Sequence, residues 1–213
     1  MRRRLASDRC EGEIPAPPRL EGPPARWRTA AGPPCAGVVL RVKAAVFGLI
    51  FPVVMVLDLI TKQWALDALA GGRRMELFGG LIPLTLAFNR GAAFGLEVGE
   101  DSRWFFVPVT LLALVILVKL FIDARSGDLL RLASLSLVVA GAVGNLYDRL
   151  RWSLGVVDFI GPVWLGFAHF PIFNVADIAI TCGAVMLATS FWLEERAERR
   201  HGGSDAPPSA STC

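Results

Sequence analysis

The chain has 213 residues, 54% of them hydrophobic, and its mean hydropathy of +0.50 excludes an ordinary soluble domain, whose apolar share is about 45–50%. The net charge of +3 comes with basic residues placed beside apolar runs, where membrane topology accounts for them, so nucleic acid is not an expected partner. Cys10, Cys35, Cys182 and Cys213 form no CxxC pair and stand at no metal-ligand spacing with His169 or His201, so neither a disulfide framework nor a metal is expected.

Residues 1–37 are rich in Arg, Pro and Gly and hold no sustained apolar run, the composition of a disordered extension. No apolar h-region follows Arg2-Arg3-Arg4, so a cleaved signal peptide is not expected there. The membrane domain is expected over residues 38–193, with a cytoplasmic tail over 194–213.

The first span runs from Val38 to about Ile60, with Pro52 inside and Asp58 near its far end. It is long enough to cross a core of about 30 Å at about 1.5 Å per residue. The mixed stretch from Thr61 to Met75 reads as a short interfacial helix ended by Gly71-Gly72. The stretch from Glu76 to Glu100 is no membrane helix: Leu84-Thr85-Leu86-Ala87-Phe88 followed by Asn89-Arg90-Gly91 reads as a strand and turns, assigned to a small extracytoplasmic sheet.

Further spans are expected over Trp104–Ile122, Leu129–Tyr147 and Val175–Leu193, with a mixed loop from Leu150 to Asn174. The short connection Asp123–Asp128 makes the second and third spans antiparallel neighbours. Gly141 and Gly144 permit a partner helix close to the third. The fold class is therefore an all-α membrane protein of four transmembrane helices with a small extracytoplasmic β-sheet. Lys and Arg near the spans divide almost evenly between the two faces, and the basic N-terminal tail favours both termini in the cytoplasm.

That topology brings the outer ends of spans one and three and the start of span four to one side. Those ends carry Asp58, Thr61 and Lys62, then Asn145, Asp148 and Arg149, then Asn174 and Asp177, each set at i,i+3 or i,i+4 spacing. Plainer readings exist for each: a helix cap at Asn174, a boundary ion pair at Asp58 and Lys62, an interfacial anchor at Arg149. Independent anchors, however, have no reason to bring several carboxylates together, and an acid such as Asp177 inside a membrane span is a functional-site candidate.

Two close Asp side chains do not both ionise readily, so one keeps a proton while the other deprotonates a water, as in aspartic proteases. HExxH, GxSxG and a Cys–His pair are all absent from the sequence. Spacing does not choose the pair among Asp58, Asp148, Asp158 and Asp177. A transporter would show repeats relating spans one–two to three–four, and none is visible. A non-catalytic assembly factor would tolerate replacement of the carboxylates.

Five ordered blocks, Asp58-Leu59-Ile60-Thr61-Lys62, Asn89-Arg90-Gly91-Ala92-Ala93-Phe94, Gly144-Asn145-Leu146-Tyr147-Asp148-Arg149, Val156-Val157-Asp158-Phe159 and Phe173-Asn174-Val175-Ala176-Asp177, resemble the signature blocks of the bacterial lipoprotein signal peptidases, signal peptidase II. The resemblance spans about residues 44–193 and leaves both ends of the chain unmatched. It implies a monomeric inner-membrane aspartic protease with a periplasmic β-cradle, in contact with membrane lipids and needing no cofactor. Its substrates would be prolipoproteins, cut before the diacylglyceryl-modified Cys. On this resemblance Asp158 and Asp177 form the catalytic dyad, and Asn89, Asn145, Arg149 and Asn174 line the substrate site. Asp58 and Lys62 support it, with Asp148 beside them.

Overall fold

The computed structural model describes residues 36–91, 103–164, 166 and 169–202. Most of the expected N-terminal extension, the turn residues from Ala92 to Gly95 and the end of the C-terminal tail lie outside that set. In chain order the elements are α1 (Ala36–Ala68), β1 (Arg74–Leu77), β2 (Ile82–Asn89), α2 (Arg103–Asp123), α3 (Leu129–Arg151), β3 (Val156–Ile160), β4 (Val163–Trp164), β5 (His169–Phe170) and α4 (Val175–Gly202). All four helices are long and apolar enough to cross a membrane.

α1 corrects the expectation of a span followed by a separate interfacial helix. It continues unbroken for 33 residues, on the order of 50 Å at the α-helical rise, which exceeds the hydrocarbon core. Thr61–Asp67 contains no helix breaker, and Thr61 Oγ1 returns its hydrogen bond to the Leu57 carbonyl at 2.6 Å. The chain turns only at Gly71 and Gly72, whose φ angles of 71° and 79° suit glycine. α3 likewise runs past Tyr147 to Arg151, and α4 past Leu193 to Gly202.

α3 is the central helix and packs against α1, α2 and α4. More than half of its span is buried, while none of α2's is, the pattern of a helix that faces lipid on most sides. Lipid is as apolar as leucine, so apolar burial alone gives membrane helices little reason to associate, and close approach of small residues matters more. A Cβ added at Gly141 would lie 2.4 Å from the Ala176 carbonyl oxygen, and one at Gly183 would lie 2.7 Å from Val138 Cγ2. The close approach expected at Gly141 is thus a contact between α3 and α4.

The sheet is antiparallel in the order β1-β2-β3. Its third strand comes from the stretch expected to be a mixed loop, so the sheet is not built from residues 76–100 alone. Ala87 pairs with Asp158, and Asn89 with Val156. Under the sheet, Leu84 and Phe159 pack on Ala65 in the last turn of α1 and on Leu69 just beyond its end. The end of β3 is stitched to the approach to α4: Phe173 N–H donates to the Ile160 carbonyl at 3.0 Å, and Ile160 N–H to the Phe173 carbonyl at 2.9 Å.

Candidate active site

Lys62 stands at the centre of the buried polar residues. One turn along α1 from Asp58, its ammonium lies 2.8 Å from Asp58 Oδ2 and 2.9 Å from Asp148 Oδ2. It also donates to Asn145 Oδ1 at 3.1 Å. An ammonium has three donors and no acceptor, and three acceptors meet it here. The boundary pair that spacing allowed between Asp58 and Lys62 is therefore real but is only part of a buried network joining α1 to α3.

The two carboxylates on Lys62 each reach one further segment. Asp58 Oδ1 accepts the Ala176 N–H at 3.0 Å, in the first turn of α4. Asp148 Oδ2 accepts the Val157 N–H at 3.2 Å, on β3. Ala176 precedes Asp177 and Val157 precedes Asp158, so this network fixes the backbone beside both acids.

Asn174 joins those acids directly. Its Nδ2 donates to Asp158 Oδ1 at 2.6 Å. Its backbone N–H donates to Asp177 Oδ2 at 3.1 Å, and its Oδ1 accepts the Asp177 N–H at 3.0 Å. The last two bonds are the reciprocal pattern of a helix capping box, with Asp in the third helical position. Asn174 is thus both a cap and a bridge; position alone suggested the cap.

Asn145 completes the ring. Its Oδ1 accepts Asn174 Nδ2 at 3.1 Å as well as Lys62 Nζ, and its Nδ2 donates to Asp177 Oδ1 at 2.8 Å. Asn89 reaches Asp158 from β2 by a side-chain hydrogen bond, and its own Oδ1 accepts the Gly91 N–H at 2.8 Å. Strand register explains the reach: Asn89 lies diagonally across from Asp158 on the same face of the β2–β3 pair. Arg149 donates to the Asn145 carbonyl at 3.3 Å, and its guanidinium lies 5.4 Å from the Phe106 ring centre. The carboxylates of Asp177, Asp158 and Asp148 all act electrostatically on Arg149.

The nine residues that the family resemblance assigns to the site come together, whereas Thr61 spends its hydroxyl on carbonyls of its own helix. Asp158 is 1% exposed. Burial first, and the Asp177 charge second, raise its pKa from the usual carboxylate value to about 7. Sequence reasoning missed the main-chain contributors at Val157 and Ala176; the direct adjacency of each to an Asp was the available signal. Among the described residues no group of His, Cys, Asp and Glu is arranged to hold a metal ion.

Two acids held by one residue, Asp158 by the Asn174 side-chain amide and Asp177 by its backbone N–H, stand beside a bundle of apolar helices, an arrangement suited to carboxylate chemistry at a membrane. A family model described as signal peptidase (SPase) II matches residues 50–193. The lipoprotein signal peptidase of Pseudomonas aeruginosa is 39% identical over 153 residues, covering 70% of this chain and 89% of that protein. The lipoprotein signal peptidase of Clostridium tetani is 35% identical over 147 residues, covering 68% and 92%. A solved bacterial membrane enzyme is similar with a TM-score of 0.60 at 29% identity, covering 76% of this chain and 91% of that one. The chain belongs to the signal peptidase II family, and is a multi-pass membrane peptidase.

Proposed function

We propose that this chain is an aspartic endopeptidase that removes the signal peptide from diacylglyceryl-modified prolipoproteins, with Asp158 and Asp177 as its dyad. The observation that carries the reading is Asn174, which donates to Asp158 Oδ1 at 2.6 Å and to Asp177 Oδ2 at 3.1 Å. Tethering both acids to one residue supports a shared site, in which one water and one carbonyl would meet both. One carboxylate accepts a proton from the water as it attacks, and the protonated partner polarises the scissile carbonyl. Arg149 and Asn89 border the pair and orient the substrate.

On this reading the enzyme is a monomer of the bacterial cytoplasmic membrane, its only macromolecular partners the prolipoproteins and its surroundings lipid. Both termini are cytoplasmic, and the dyad and the sheet lie near the outer face. The burial of Lys62 between two carboxylates supports that orientation: Lys62 is a site residue, so removing it from the outer charge count tips the Lys and Arg balance further towards cytoplasmic termini.

The test is cleavage of a lipid-modified prolipoprotein by the purified chain, compared with Asp158→Asn and Asp177→Asn. Both variants are expected to lose cleavage while keeping the fold. Undiminished cleavage by either one overturns the dyad.

A further inference from the structure

The dyad treats its two acids alike until their hydrogen bonds are separated. We propose that Lys62 is a positioning residue that acts on Asp177 through Asn145, holding Asp177 as the charged member of the pair and leaving the proton on Asp158. The proposal rests on the dyad reading above and assigns direction within it.

Asn145 has an acceptor end and a donor end, and its surroundings decide which faces Asp177. Lys62 Nζ and Asn174 Nδ2 both donate to Asn145 Oδ1, at 3.1 Å each. Rotating the amide by half a turn would set its NH2 against an ammonium, donor facing donor, in a site where Lys62 is 3% exposed. The amide NH2 is therefore committed to Asp177 Oδ1, at 2.8 Å. The other oxygen, Oδ2, accepts the Asn174 N–H at 3.1 Å. Asp177 therefore accepts on both oxygens from a half-buried position, whereas Asp158, which also accepts from Asn174 and Asn89, is fully buried, where the charged form is disfavoured. It also lies in the first turn of α4, where the helix dipole favours negative charge.

Lys62 is itself held in register. Asp58 and Asp148 fix its ammonium and, through Ala176 N–H and Val157 N–H, the backbone beside each acid. Other charged groups facing Asp177 are Arg149 from α3 and Asp158 from β3. Asp158 is the more deeply buried acid, and its raised pKa agrees with its being the proton holder.

The assignment sets each proton's course. As the water oxygen bonds to the scissile carbonyl carbon, one water proton passes to Asp177 and the Asp158 proton passes to the carbonyl oxygen. On collapse the carbon–nitrogen bond breaks, Asp177 gives its proton to the leaving amine, and one hydroxyl of the diol returns its proton to Asp158. The pair ends as it began.

The test is the pH profile of kcat/KM for the purified full chain cleaving a lipid-modified prolipoprotein, with Lys62→Met and Asn145→Ser as variants. Asn145→Ser, which takes one hydrogen-bond donor from Asp177 and no charge from the site, is expected to move the acid limb upward and leave the alkaline limb in place. Lys62→Met also removes a cation that lowers the Asp158 pKa, so its alkaline limb should move upward as well. kcat should fall far more than KM changes. Asn145→Ser removes no charge, so its shift reports the lost donor; it also carries the test if Lys62→Met does not fold. Lower kcat with both limbs unmoved in Asn145→Ser would reduce the network to scaffolding and overturn the proposal. Asp158→Asn and Asp177→Asn run alongside: if either still cleaves, the dyad itself falls, whereas two inactive variants with unmoved limbs in Asn145→Ser refute the positioning role alone.

Discussion

Gly144 and Asp58 are so close across the α1–α3 contact that a Cβ on Gly144 would lie 2.6 Å from Asp58 Oδ2. That oxygen is the one bound to Lys62 Nζ at 2.8 Å. The absence of a single methyl group therefore keeps the ion-pair network closed.

Gly144→Ala is expected to push the Asp58 carboxylate off Lys62 and off the Ala176 N–H, lowering cleavage by at least roughly tenfold with a stability loss of about 1–3 kcal/mol, the usual range for overpacking. Gly48→Ala, whose added Cβ meets nothing within 4 Å, is the matched control. Thermal unfolding in detergent and prolipoprotein cleavage measure the two effects. Wild-type activity in Gly144→Ala would show that the contact yields without consequence.

Asn174 allows its two duties to be separated. Serine is a good helix cap but has no amide to reach Asp158. Asn174→Ser is therefore expected to unfold within a few degrees of wild type and to lose most cleavage, whereas Asn174→Ala loses the cleavage and about 1 kcal/mol of stability as well. Equal activity in the wild type and the serine variant would leave capping as the sole role of Asn174.

On the proposed dyad Asp158, its pKa raised to about 7 chiefly by burial, is expected to set the alkaline limb of the profile. It is protonated below that value, so kcat/KM is expected to fall as pH rises through about 7. The Asn89 hydrogen bond favours the charged form, so Asn89→Leu should carry the limb to higher pH. A stability effect follows with its own sign. The folded pKa lies above the usual value of 3.8, so the folded chain holds a proton that the unfolded chain releases between those limits. This contribution is complete below the unfolded value and disappears as pH rises through the folded one. Asp158→Asn, which cannot titrate, should show a flatter dependence of stability on pH over that window.

Lys62→Met leaves Asp58 and Asp148 buried without their cation, a change expected to cost about 3–5 kcal/mol. Adding Asp58→Asn removes one orphaned charge and should recover part of that loss without recovering cleavage. Calorimetry or denaturant titration of the single and double variants reads the difference, and full additivity would place the two residues in separate environments.

The four helices were legible because each is a long apolar run, and Gly141 and Gly144 pointed to a close contact before its partners were known. Spacing put Asp58 with Lys62, Asn145 with Asp148 and Arg149, and Asn174 with Asp177 on common helix faces. It did not reach Asp158, because Asp158 joins the site through strand pairing with Ala87 rather than through helical periodicity; only the family resemblance paired it with Asp177. The end of α1 departs from expectation because the stretch after Ile60 is mixed, with Lys62 beside Trp64 and Leu66, the pattern of an interfacial helix. The unbroken helix follows from Lys62's need to stay one turn from Asp58.

The backbone bridge between Ile160 and Phe173 also sets an order of events. It joins segments made late in synthesis, after three of the four helices have been made, and Asp177 follows it. Until that last stretch is made, the nascent chain carries Lys62, Asn145 and Asp158 without the second acid, so on the proposed dyad a prematurely terminated copy is expected to be unable to cut its neighbours in the bilayer.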